Sequence, residues 1–290
     1  MAVSAQDVKK LRDMTGAGMM DCKEALTETG GDFDAAVDML RKKGLSKAAK
    51  KAGRETNEGV VAAFIRPDGS AGSLVEVNCE TDFVARTEDF TTFVKDAIAM
   101  IDAKGPGAAA ELLEQPWVKD PAKSVQNVLA ELIGKLGENM QLSRVAHFKA
   151  PAGSVVHSYI HPGARVGVLI EAVGPKGKPE FDQLVHDLAM QVAAAQARFV
   201  RREEVDGATV EHEKGIYREQ LKESGKPAQV IEKIVEGKLN SYYGEVCLLE
   251  QPFIKDPNTK VQDLVAKVAK DTGAPVTVTR FARFALGEGL

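Results

Sequence analysis

The sequence predicts an α+β fold: an N-terminal three-helix module, two copies of one α+β subdomain with antiparallel sheets, and an antiparallel helical hairpin inserted into the second copy. Three observations support that expectation. The first forty residues hold three short segments of helical apolar periodicity separated by glycine stops. The octapeptide Glu114-Gln115-Pro116-Trp117-Val118-Lys119-Asp120-Pro121 recurs 136 positions later as Glu250-Gln251-Pro252-Phe253-Ile254-Lys255-Asp256-Pro257, and such recurrence marks a duplicated structural unit. In both copies paired β-rich runs precede helical stretches, which suits helices gathered on one side of a sheet.

Ser4 is a fitting N-cap for a first helix bearing Val8, Leu11 and Met14, which Thr15-Gly16-Ala17-Gly18 stops. A second helix over 19–29 turns Cys22, Ala25 and Leu26 inward and ends at Gly30-Gly31. Asp32 then caps a third, with Phe33, Ala36, Val37 and Leu40 as its apolar positions. The pattern Cys22-x-x-Ala25-Leu26, then Gly31-Asp32 and Ala36 to Leu40, resembles the ubiquitin-associated three-helix module, a binding fold without chemistry of its own. Gly16-Ala17-Gly18 is not a phosphate loop, because Asp21 stands where a third glycine belongs and no strand precedes it. Adjacent Met19 and Met20 point about 100° apart on a helix. A small bundle cannot readily bury both, so core and partner-contact readings stay open for this flexible pair. The module is set at 1–44 and a basic linker at 45–58. Residues 41–54 hold Arg41, Lys42, Lys43, Lys47, Lys50, Lys51 and Arg54 and no acid; they read as a solvated stretch or as a patch for RNA or an acidic partner. Ala48, Ala49 and Ala52 let part of the stretch be helical, and Gly53 ends it.

The first core subdomain, 59–149, reads as strands at 60–66 and 73–79, helices at 88–103 and 123–136, and a strand at 140–148. Pro67-Asp68-Gly69 turns the first hairpin, since Pro presets φ and Gly tolerates positive φ. The second, 150–290, repeats the order with strands at 154–161 and 165–173, helices at 180–195 and 259–270, and a strand at 275–285. Register is kept: Val125-Gln126 matches Val261-Gln262, Gly137 matches Gly273, and Arg144 with Phe148 matches Arg280 with Phe284. At an offset of 95, Glu76 matches Glu171. The growth of the offset places an insertion at 203–242. One stripe holds Val210, Tyr217 and Leu221, another Ile231, Ile234, Val235, Leu239 and Tyr242, with Ser224-Gly225-Lys226-Pro227 between them. This predicts a short antiparallel coiled coil.

The chain has 290 residues with 38 Lys+Arg against 42 Asp+Glu, a net charge of -4, so no direct nucleic-acid partner is expected. Cys22, Cys79 and Cys247 form no paired motif, no signal-peptide apolar region opens the chain, and no uncharged run is long enough for a membrane span. No membrane partner is expected, and a cytoplasmic location is the default. The five histidines suggest no metal site: His157 and His161 on one strand would lie about 13 Å apart. No phosphate loop, nucleophile elbow or dinucleotide motif occurs, so the chain reads as a binding protein, not an enzyme, without a cofactor. One corner stands out: past strand 73–79 come Thr81-Asp82-Phe83-Val84. Either Thr81 or Asp82 caps a helix with Phe83 packed beneath, or the corner is an exposed acid-aromatic wedge.

Thr15-Gly16-Ala17-Gly18-Met19-Met20-Asp21-Cys22-Lys23, Val77-Asn78-Cys79-Glu80-Thr81-Asp82-Phe83-Val84, His161-Pro162-Gly163-Ala164-Arg165-Val166-Gly167-Val168 and Gly244-Glu245-Val246 occur in this order along the chain. Together they closely resemble the bacterial elongation factor Ts family over nearly the whole length. The resemblance implies a guanine nucleotide exchange factor that binds elongation factor Tu, GDP-bound and nucleotide-free, and promotes GDP release. It implies that Asp82 and Phe83, with flanking Thr81 and Val84, insert beside the switch helices and disturb the magnesium and phosphate site. It assigns Leu11, Met19 and Met20 to a module surface meeting a GTPase helix, and Leu136, Gly137, His161 and Ile254 to further contacts. Some members continue into a C-terminal helix where this chain has Gly287-Glu288-Gly289-Leu290, so no contact from such a helix is expected. An adaptor or chaperone-like binder is the rival reading, and an enzyme using Cys79 or Cys22 a distant third.

Overall fold

The computed structural model describes residues 3–224 and 226–288; Gly225, expected at the turn of the inserted hairpin, and Gly289-Leu290 lie outside them. At the start of the chain Asp7 N–H donates to the Ser4 hydroxyl oxygen while Ser4 N–H donates to the Asp7 carboxylate. This reciprocal capping box opens α1 (Ala5–Thr15). α2 (Met19–Glu28) and α3 (Phe33–Lys51) follow, the latter capped by the Asp32 carboxylate. Val8, Leu11, Cys22, Ala25, Leu26 and Ala36 make their shared core. α3 runs past residue 44 through the basic stretch to Lys51, because no proline interrupts it and Gly44 is its one glycine. Gly44 serves the packing: a Cβ on Gly134 would stand 3.4 Å from the Gly44 Cα, where α3 meets α7 (Val125–Leu136).

β1 (Glu58–Ile65), β2 (Ala71–Cys79) and β5 (Met140–Lys149) form one sheet in the order β1-β2-β5. The one-turn α4 (Asp82–Ala85), α5 (Glu88–Lys104), α6 (Ala109–Glu114) and α7 belong with it, over a core that includes Val75, Val77, Phe90, Ile101, Leu112 and Ile133. β6 (Ser154–Ile160), β7 (Val166–Val173) and β10 (Thr277–Ala285) form a second sheet, β10-β7-β6. There β6 pairs antiparallel with β7 from Ser154↔Val173 to Ile160↔Gly167. α8 (Pro179–Ala195) and α11 (Val261–Thr272) close its core over Val168, Ile170, Phe181, Leu188 and Val278.

The recurring octapeptide folds the same way twice. β3 (Pro116–Trp117) pairs with β4 (Asp120–Ser124) through Pro116↔Ser124 and Trp117↔Asp120. β8 (Pro252–Phe253) pairs with β9 (Asp256–Lys260) through Pro252↔Lys260 and Phe253↔Asp256, with the same register slip. Neither these ribbons nor α6 were expected, because strands of two and five residues and a six-residue helix are too short to show a period. α9 (Gly207–Leu221) and α10 (Ala228–Val246) lie side by side. The Arg218 guanidinium donates to both Glu232 oxygens at 2.8 and 2.9 Å, and Lys238 sits over the Tyr217 ring. Val235, Leu239, Tyr242 and Val246 bury one stripe of α10, and the last three join Val205 and Cys247 in a cluster of their own.

Two compact units result: one holds the chain up to Ala62, Val75–His147 and the segment from Phe284, the other Ala63–Leu74 and Phe148–Arg283. In the first, buried Glu76 receives Arg144 at 2.5 Å, and the Arg144 guanidinium stacks on Phe284. In the second, buried Glu171 receives Arg280 at 2.8 Å, which stacks on Phe148. Among the described residues no helix is long and apolar enough to cross a membrane.

Candidate partner-binding site

β2 delivers the chain to Glu80 and Thr81, and Thr81 caps α4 by accepting from Val84 N–H at 3.4 Å. Thr81 is itself held. Its N–H donates to Glu138 Oε2 at 2.9 Å, its hydroxyl to Glu138 Oε1 at 2.6 Å, and its carbonyl accepts from the Cys79 thiol at 3.1 Å. Val84 and Ala85 turn inward and are buried, so Val84, expected among the contacts, belongs to the core instead, and Phe83 faces out at 78% exposure. The packed-beneath alternative is thereby overturned for Phe83, while its cap survives: Thr81 caps, and Phe90 on α5 fills the core. Half-exposed Asp82 forms an ion pair with Arg86 at 2.7 Å.

No thiolate chemistry is at hand here. Burial, aided by the Glu138 charge, pushes the Cys79 thiol up to about 12; burial raises Cys22 and takes Cys247 to about 11. All three are protonated at neutral pH and poor nucleophiles.

In the helical region Met19 and Met20 are 49% and 74% exposed, which resolves the pair toward the surface. Leu11 is corrected: it is fully buried with Val8, Ala25 and Leu26 and is unable to touch a partner without unfolding its own core. Met14 was expected inward and instead stands 59% exposed, one residue before the helix ends and beyond the reach of the small core.

Leu136 is half-buried against the core, and exposed Gly137 is the left-handed C-cap of α7 at φ 83. Its carbonyl accepts a hydrogen bond from Lys51 Nζ. Two residues on, Asn139 donates its N–H to Glu80 at 2.6 Å and its side-chain amide to the Arg54 carbonyl at 2.8 Å. The Asn139 N–H and then the Arg54 charge hold the Glu80 carboxyl below its usual range. In the second unit His161 is exposed on the β6–β7 turn, with Nδ1 2.9 Å from the Tyr159 hydroxyl. Ile254 is 38% exposed, and its N–H donates to the buried Gln191 side chain at 2.8 Å. Val118, the matching tip of the first ribbon at the same offset from Ile254, is 59% exposed. His157 lies 3.1 Å from His186, not beside His161, and among the described residues no cluster of three or more metal-ligating groups occurs.

Seven of the expected contact residues thus share the first unit outside its core or at its edge: Met19, Met20, Thr81, Asp82, Phe83, Leu136 and Gly137. Residues 80–288 match the family model described as Elongation factor TS. The chain belongs to the elongation factor Ts family. It is 48% identical over 294 residues to Elongation factor Ts of Trichlorobacter lovleyi, covering 100% of this chain and 94% of that protein. The Aquifex aeolicus protein of the same name is 45% identical over 292 residues, with 99% of each chain covered. That of Clostridium botulinum is 46% identical over 288 residues, covering 99% and 94%.

Proposed function

We propose that this chain is the guanine nucleotide exchange factor for elongation factor Tu, and that the Asp82-Phe83 tip is the part that opens the nucleotide site. One observation carries the second half: a large aromatic ring stands 78% exposed on a one-turn helix whose cap is tied down by a carboxylate. An exposed ring gains about 1.5–3 kcal/mol on burial in an apolar pocket. That gain favours the opened GTPase only, so the factor must weaken nucleotide binding by the ratio in which nucleotide weakens binding of the factor. Asp82 adds negative charge near a site organised by Mg²⁺ and phosphate. The factor makes and breaks no bond, needs no cofactor and acts in the cytoplasm on GDP-bound and nucleotide-free partner.

Met19 and Met20 supply contact area from a ubiquitin-associated-like module at 1–44. Leu136, Gly137, His161 and Ile254 add contacts from the two core subdomains, 59–149 and 150–290. The α9–α10 pair is an antiparallel coiled-coil arm, and the basic segment 45–58 joins module to core without binding nucleic acid. The test is release of a fluorescent GDP from elongation factor Tu with and without this protein. Acceleration at substoichiometric factor is expected. Unchanged release with preserved binding would leave an adaptor instead.

A further inference from the structure

Glu138 was not singled out by the sequence, yet its carboxylate takes two hydrogen bonds from the residue that caps the candidate tip. Both oxygens are used on one residue: Oε2 takes the Thr81 N–H at 2.9 Å and Oε1 the Thr81 hydroxyl at 2.6 Å. The same hydroxyl oxygen accepts from Val84 N–H and so caps α4. α4 has four residues, and a single helical turn does not sustain itself, because nucleation fixes several dihedrals for one hydrogen bond. What orients Phe83 is therefore the fixed cap on one side and buried Val84 and Ala85 on the other. Glu138 is itself placed by neighbours that leave it little freedom. Gly137 ends α7 with positive φ, and Asn139, 2% exposed, is anchored to Glu80 and Arg54.

We infer that Glu138 is a positioning residue for the exchange tip: it clamps Thr81 so that the backbone turn carrying Phe83 is set before the partner arrives. The inference rests on the proposed role of Phe83. Preorganisation acts on the step that uses the tip, since a backbone turn already fixed loses no conformational freedom when the ring it carries enters a pocket. Glu138→Ala removes both acceptors. Glu138→Gln keeps the length and one acceptor for the Thr81 N–H, and its amide can donate to the Thr81 hydroxyl oxygen.

The experiment measures fluorescent-GDP release from elongation factor Tu at saturating factor, affinity for elongation factor Tu, and melting temperature, for wild type, Glu138→Ala, Glu138→Gln, Phe83→Ala and the Phe83→Ala/Glu138→Ala double variant. Glu138→Ala is expected to lower the saturating rate about tenfold, with affinity changed by less than about threefold, and Glu138→Gln to recover most of the rate. The double variant should be no slower than Phe83→Ala alone, because a clamp acting only through the ring has nothing left to orient. Amide exchange at Val84 and Ala85 should quicken in Glu138→Ala. A normal saturating rate in Glu138→Ala, additive losses in the double variant, or a loss that glutamine fails to recover would overturn the clamp while leaving the Phe83 reading intact. An unaltered rate in Phe83→Ala would instead sink that reading and the clamp together.

Discussion

Phe83 and Phe90 are seven positions apart and have opposite fates, one 78% exposed and the other fully buried. Truncation should separate them. Phe90→Ala is expected to cost about 3–5 kcal/mol of folding stability. Phe83→Ala should leave the melting temperature within about 2 °C of wild type, as surface changes do, yet slow saturating exchange tenfold or more, with Asp82→Ala weaker in the same direction. A large melting loss in Phe83→Ala would return the ring to the core. Glu80 gives a prediction in pH. Its folded-state pKa lies below the usual glutamate value because of the Asn139 N–H and Arg54. Ionised Glu80 therefore contributes stability above the usual value of about 4.3, and loses it as pH falls through the depressed one. Glu80→Gln should melt lower than wild type at pH 7, and the gap should narrow on acidification toward about pH 3; a gap that widened there would contradict the pairing.

At the scale of elements, α9 and α10 pack on each other, and residues at their base join Val205 and Cys247. Replacing residues 211–236 with a short Gly/Ser loop keeps Val210, Leu239, Tyr242 and Val246 in place and should preserve one cooperative melting transition. Loss of cooperativity would make the pair part of the core. α2 yields a different expectation, since both its methionines are exposed. Met19→Ala with Met20→Ala should weaken binding to elongation factor Tu by a few kcal/mol at most, with the saturating rate and the fold preserved. Titration calorimetry reads the first and melting the last; unchanged affinity would remove α2 from the contact. Two helix caps were legible as single residues: Ser4 and Asp32 stand where the chain enters α1 and α3. The two ribbons were legible only as repetition, because recurrence says that a segment is structured without saying how.

Across the molecule the duplication appears as two buried carboxylates with matched cations. Each arginine stacks on the phenylalanine of the other sequence copy, Arg144 on Phe284 and Arg280 on Phe148. Glu76 also accepts from Gly287 N–H at 2.9 Å, and Arg144 donates to the Ala285 carbonyl at 2.7 Å. The segment from Phe284 therefore completes the first unit. Removing one partner of a buried ion pair costs about 3–5 kcal/mol. Arg144→Ala should speed amide exchange in β2 and β5 near Glu76, whereas Arg280→Ala should do so in β7 near Glu171, and hydrogen exchange by mass spectrometry distinguishes them. Identical exchange patterns in the two variants would mean that the pairs are not local to their units.

The sequence by itself determined the α+β class, the order of the longer helices and strands, the repeat, and the family through its motifs. These rest on periodicity and capping, which are local, and on recurrence, which needs no structure. Tertiary structure alone decided that Phe83 faces out, that Leu11 faces in while Met14 does not, and that α3 continues to Lys51. A one-turn helix has no period to reveal its inner side, and a bundle of six buried side chains leaves its marginal positions to packing. Glu138 was illegible for a plainer reason: it meets Thr81 across 57 positions of sequence, and a carboxylate after a helix-ending glycine carries no local sign of what the fold will bring to it.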